Sequence, residues 1–232
     1  MEYLNKNRNS SLLFATFLAL AIFGFSRTYF GLFPNFSPKI TTITHLHGLS
    51  VTLWMVLLIV QPLLIWLKKP QLHLLIGKFS YFFVPFLALM MVLTIRQGYL
   101  RSVGTIPTEA LLAFQFVPIS AFTVFVVTYA LAIFNRQSRH AHRSFMIINA
   151  LGLLWAAFGR VHLGIGNFKD AVTTAYMIPN LMLLLLFFLS WFRGKPNRIY
   201  LLWFGIFMSI TAFYYYDSEG SLWLSMAKLI FH

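Results

Sequence analysis

Residues 139–162, RHAHRSFMIINALGLLWAAFGRVH, form an apolar run with a histidine-arginine cluster at one end and an arginine-histidine pair at the other. The step from His142 to Arg160 is five turns of an α-helix, so both side chains share one face, about 27 Å apart along the axis. That approximates the hydrocarbon thickness of a bilayer. Asn149 and Ala156 fall on the same stripe, while Phe145, Ile147, Leu151, Leu154 and Phe158 fill the rest. The pattern reads as a membrane-spanning helix whose polar and small stripe faces inward.

The composition extends this reading to the whole chain. Of 232 residues, 59% are hydrophobic and 10% charged, against roughly a quarter charged in a soluble domain. A soluble fold of this size has too little interior for so much apolar surface. The net charge of +13 first suggests nucleic acid. Lysines and arginines instead sit in small groups between long apolar runs, as in the loops of a polytopic protein, so no nucleic-acid partner is expected. The absence of cysteine excludes disulfides, thiolate metal sites, iron-sulfur clusters and cysteine nucleophiles.

Seven apolar runs approach the ~20 residues that a spanning helix needs: 10–30, 44–67, 74–97, 109–134, 142–162, 174–192 and 198–216. They predict an all-α transmembrane bundle forming one integral membrane domain over residues 1–232. Lys6 and Arg8 before residues 11–25 resemble a signal peptide. The apolar stretch continues to Phe30 without a small-x-small cleavage site, so it reads as an uncleaved first span. One set of termini and loops holds Lys6, Arg8, Lys68, Lys69, Lys78, Arg136, Arg139, Arg143, Arg193, Lys195 and Arg198. The other holds Arg27, Lys39, Arg96, Arg101, Arg160, Lys169 and Lys228. The bias places the N-terminus inside and the C-terminus outside. Pro62, Pro118 and Pro179 should perturb their helices, and residues 221–231 are too short to span.

Several segments together resemble a bacterial family of integral membrane proteins of unknown function: THLHGLSVTLWMVLLIVQPLL, QLHLLIGKFSYFFVP, AHRSFMIINALGLLWAAFGR and AYMIPNLMLL. The matching features are His47-Gly48, His73 with Gly77, the Ala-His-Arg-x-x-Met opening at His142, Arg143 and Met146, the distal Arg160, and Pro179-Asn180. Leu74 stands where that family often has arginine. The resemblance covers about residues 27–190 and implies a multi-pass protein of a bacterial cytoplasmic membrane, with no reaction attached.

With every loop short, chemistry must lie inside the bundle or at its faces. His47, Trp54 and Gln61 recur at intervals of seven on the second span. The candidate cofactor-binding residues are His47, His73, His142, Arg143, Arg160 and His162, since imidazole and guanidinium together suit haem propionates, a quinone headgroup or another anion. A b-type haem needs facing imidazoles, with His47–His162 and His73–His142 as the pairs, and would make the protein a haem- or quinone-linked membrane oxidoreductase. His45, His47 and His162 supply three nitrogens for zinc or copper. A transport path would run between the stripe of Asn149, Ala156 and Arg160 and the face of His47, Trp54 and Gln61. Interfacial His and Arg that merely set helix depth are the structural alternative. Hydrolytic chemistry lacks an orienting carboxylate. The fifth span is expected at the centre, packed on the second and third. The overall reading is a membrane protein binding a redox cofactor or anionic small molecule. The alternatives are a non-enzymatic accessory protein assembling with a membrane-protein partner or oligomer, and a small-molecule transporter.

Overall fold

A computed structural model describes residues 2–36, 40–161 and 168–231. Among them the chain forms eight α-helices and no strand: α1 Glu2–Phe25, α2 Thr42–Trp66, α3 Pro70–Ser102, α4 Thr108–Phe134, α5 Arg139–Val161, α6 Phe168–Phe192, α7 Arg198–Asp217 and α8 Ser221–Phe231. Seven of the eight are long and apolar enough to cross a membrane, as a multi-pass protein requires. The chain divides into two compact units, Met1–Thr94 and Ile95–His232.

In the first unit α1 packs along α2, with Phe14 and Phe17 buried. Pro62 has no N–H and crowds the Leu58 carbonyl, which loosens the helical ladder locally. The Ser11 hydroxyl donates across from α1 to the adjacent Ile59 carbonyl at 3.0 Å. α1 stops at Phe25, five residues before the expected end of the first span. The Ser26 hydroxyl turns back to the Phe23 carbonyl at 2.6 Å, and the chain passes through a 3₁₀ turn at Phe30–Leu32.

α2 closes with paired bonds from the Lys69 N–H to Leu64 O and from the Lys68 N–H to Ile65 O, the Schellman arrangement. α6 closes identically, from Lys195 to Ser190 and from Gly194 to Trp191. The motif needs a left-handed residue, and Gly194 supplies it at φ 69° while Lys68 adopts φ 59°.

The second unit is built around α5, as expected, and the helices that bury it are α4, α6 and α7, where the sequence suggested the second and third. Ile148, Leu151, Leu154 and Ala157 are fully enclosed. Lipid tails are as apolar as leucine, so such packing is driven by close approach and polar bonds. Gly152 provides the approach: a Cβ there would stand 2.8 Å from Val124 Cγ1 of α4. Asn149 provides the bonds, its Nδ2 donating to the Phe125 carbonyl at 2.8 Å and to Thr128 Oγ1 at 3.0 Å. On the far side Trp155 meets Tyr176 of α6 and Phe207 of α7 edge to face, at 4.9 and 4.8 Å between ring centroids.

α8 extends this bundle. At eleven residues it is about 16 Å long, too short to span. Its buried Trp223 donates from Nε1 to the Leu112 carbonyl at 2.9 Å, in a cluster with Tyr99, Leu111 and Ala227.

Candidate functional site

The strongest convergence of polar side chains is at one end of the second unit, where α5 and α7 begin. Ser138 precedes α5 and accepts from the Ala141 N–H at 3.3 Å, the usual way a serine satisfies a first-turn donor. Asn197 does the same for α7, its Oδ1 accepting from the Ile199 N–H at 3.2 Å. The other end of that amide donates to Ser144 Oγ of α5 at 2.7 Å, and the Asn197 N–H donates to Ser190 Oγ of α6 at 2.8 Å. One buried asparagine therefore joins three helices. The Tyr200 hydroxyl bonds into the same group, with the Arg143 guanidinium close enough to act on it electrostatically.

This junction brings the α4–α5 and α6–α7 connections to a common end, the cationic pole. Arg136, Arg139, Arg193, Lys195 and Arg198 are exposed there, and Arg143 is half-buried. No Asp or Glu occurs in residues 110–169 or 171–216, so the acidic positions of these helices fall at their other ends. Neither α5 nor α7 has an acidic residue in its first turn. That runs against the helix dipole, which favours anions at N-termini by about 0.3–1 kcal/mol each. Arg139 and Arg198 occupy the first positions instead.

His142 is half-buried beside this pole, and its Nδ1 lies 2.8 Å from the Ala132 carbonyl. At the end of α4 the Arg136 N–H turns to Ile133 O, so Ala132 O has no helical donor of the usual kind. A carbonyl only accepts, so Nδ1 carries the proton of this bond and Nε2 is the nitrogen left to face a ligand.

The histidines of the first unit are held locally. His73 is tied to Gln61 of α2: its Nδ1 lies 3.2 Å from the Gln61 backbone carbonyl and 2.5 Å from one end of the Gln61 carboxamide, whose other end faces the Gly77 N–H at 3.1 Å. The His-x-x-x-Gly spacing thus serves one glutamine that fastens α3 to α2. His45 Nδ1 is bonded to the Tyr29 hydroxyl at 2.7 Å and packed edge-on against Phe36. His47 is half-buried in the first turns of α2. Fourteen residues of helix, about 21 Å, separate it from Gln61 and hence from the anchor of His73, so these two imidazoles of the first unit sit at opposite ends of α2. His162 lies outside the described residues, and with it the His45–His47–His162 set and the His47–His162 pair. Among the described residues no three His, Asp or Glu cluster as a metal site would need.

At the far end of α5, Arg160 folds back to donate from Nη1 to the Ala156 carbonyl at 2.7 Å. Ala156 is exposed, which corrects the expectation of a continuous inward stripe. Asn149 faces α4 with no exposed surface, but crossing helices share only a few turns of one face, and two turns later that face is uncovered. Sequence reasoning missed Asn197, Ser190 and Tyr200. Ser144 and Asn197 lie 53 residues apart, and no periodicity signals such a pair. Comparison with protein-family models, curated proteins and solved structures finds no match.

Proposed function

We propose that this multi-pass membrane protein holds an anionic small molecule at the cationic pole of α5 and α7. One observation carries the reading: the Asn197–Ser144 bond gathers six lysine and arginine side chains at one end of these helices, away from their acidic positions. Cations crowded on two helix N-termini repel one another and the dipoles beneath them. A bound anion relieves both costs, and Arg143, half-buried beside Tyr200, is the cation best placed to bond it in a fixed geometry.

The test is thermal unfolding in neutral detergent with inorganic pyrophosphate as probe. Pyrophosphate should raise the wild-type midpoint and leave Arg143→Gln unmoved. A wild-type midpoint indifferent to pyrophosphate refutes the proposal.

His142 favours a redox-active ligand as a second reading. A metal-ligating histidine typically donates its other ring N–H to a carbonyl, as His142 does to Ala132. Haem propionates or a quinone headgroup would supply the negative charge or the acceptor oxygens for the arginines. A second axial imidazole on a facing helix is not provided by the described residues of this unit, where His140 is the other histidine and shares α5. A reduced-minus-oxidised spectrum with a b-type band would support the redox form. A featureless spectrum removes haem and leaves the anion site standing.

A further inference from the structure

The α6 end of the pole carries a feature that a soluble anion would not need. Phe188, Trp191 and Phe192 form a nearly parallel stack over its last turns, with interplanar angles of 18° for Phe188–Trp191 and 10° for Trp191–Phe192. Trp191 is 55% exposed and Phe192 83%. Arg193 follows directly, and the Schellman turn at Gly194 with the Asn197 bonds fixes the path to Lys195 and Arg198. In spanning proteins exposed tryptophans mark headgroup depth. Exposed aromatic faces within a turn of exposed cations therefore put those cations level with lipid phosphates, and apolar ring surface level with the upper acyl chains.

We infer that the anion is the phosphate of an anionic glycerophospholipid, held by Arg193, Lys195 and Arg198 together with Arg143, its acyl chains against Trp191 and Phe192. This rests on the reading of the pole as an anion site and names the chemistry of the ligand. Charge complementarity selects an anionic headgroup over a zwitterionic one. The aromatic platform selects a lipid over free phosphate, because only a lipid uses both surfaces.

The probe is phosphatidylglycerol. The full-length protein is reconstituted in nanodiscs of phosphatidylcholine with and without phosphatidylglycerol, and the lipid retained after release is counted by native mass spectrometry. Wild type should retain phosphatidylglycerol preferentially. Each of Arg193→Gln, Lys195→Gln and Arg198→Gln should lower that preference about fivefold, the equivalent of roughly 1 kcal/mol for each surface cation. These side chains are exposed, so folding should survive, and the unfolding midpoint without lipid checks it. Trp191→Leu with Phe192→Leu should weaken lipid retention but leave pyrophosphate stabilisation intact. A triple Gln variant with wild-type lipid preference overturns the inference. So does wild-type stabilisation by pyrophosphate without preference for phosphatidylglycerol, an outcome that preserves the anion site itself. Indifference to both probes removes the site and the lipid together.

Discussion

The two Schellman turns offer a test with opposite signs at equivalent positions. Lys68 and Gly194 each occupy the left-handed position after a helix, at φ 59° and 69°, with the same pair of backbone bonds around them. For a residue with a Cβ, that conformation costs roughly 1–2 kcal/mol. Glycine escapes the cost but loses more backbone freedom on folding, which returns about 0.5–1 kcal/mol. Lys68→Gly should therefore stabilise the protein by about 0.5–1 kcal/mol, and Gly194→Ala should destabilise it by about the same amount. Lys68→Ala is the control, since alanine keeps the Cβ and removes only the charged tail; it should fall within about 0.5 kcal/mol of wild type. The assay is denaturant unfolding in mixed micelles, following helical circular dichroism. If Lys68→Gly matched Lys68→Ala, or Gly194→Ala cost nothing, the backbone at these turns would not be the origin of the effect, and the argument would be wrong at both ends.

Further substitutions test other parts of the chain. Asn149→Leu should be mild because neither acceptor is stranded: α4 is continuous at Phe125, and the Thr128 hydroxyl still donates to the Val124 carbonyl at 2.6 Å. A double-mutant cycle with Thr128→Val should give a coupling of about 0.6 kcal/mol, and a value near zero would deny the bond any role. Gly152→Val should cost about 1–3 kcal/mol by overpacking against Val124, whereas Gly205→Ala, with nothing within 4 Å of the new methyl, should gain about 0.5–1 kcal/mol in unfolding experiments. Burial raises the Tyr29 phenol above its ordinary 10.0, so the folded state holds that proton more tightly than the unfolded chain does. Its contribution is complete below that ordinary value and fades as pH rises through the folded-state pKa; Tyr29→Phe should flatten this alkaline limb of the stability profile.

Hydropathy and period made the helices legible, because a spanning helix must be apolar over a length set by the bilayer. They placed the end of α1 at Phe30, whereas the helix stops where Ser26, Arg27 and Thr28 break the apolar run and the Ser26 hydroxyl turns back to the Phe23 carbonyl. They also understated α3, whose 33 residues begin at Pro70 and continue past Gln97 through Arg101 to Ser102, where polar side chains leave the backbone free to remain helical. For the site, sequence pointed to His142 and Arg143 through their place at the start of a span, and the structure puts both at the pole. It could not supply the asparagine that creates the pole, because Asn197 in a loop sequence reads only as a turn former. Gln61 was singled out for its helical spacing, which was sound; its use, as the clamp on His73 and Gly77, depended on a chain reversal that spacing does not encode.

His142 has two roles to separate, and the geometry provides the means. Its Nδ1–H satisfies the Ala132 carbonyl at the end of α4, so removing the ring strands a carbonyl whatever else the ring does. His142→Ala should therefore cost roughly 1–3 kcal/mol of stability, and a loss of ligand in that variant alone would be ambiguous. Asparagine reproduces the donor, because its Nδ2 stands near the position of the histidine Nδ1, but it has no counterpart to Nε2. His142→Asn should recover most of the stability lost in His142→Ala, as read by the unfolding midpoint. Its behaviour toward ligands then isolates Nε2. If His142 only closes α4, the asparagine variant keeps pyrophosphate stabilisation and any spectroscopic signature of the wild type. If Nε2 contacts a bound group, the variant is stable and loses that signal. A His142→Asn protein as unstable as His142→Ala would show that the carbonyl bond is not what the histidine contributes, and the role of Nδ1 as its donor would fall with it.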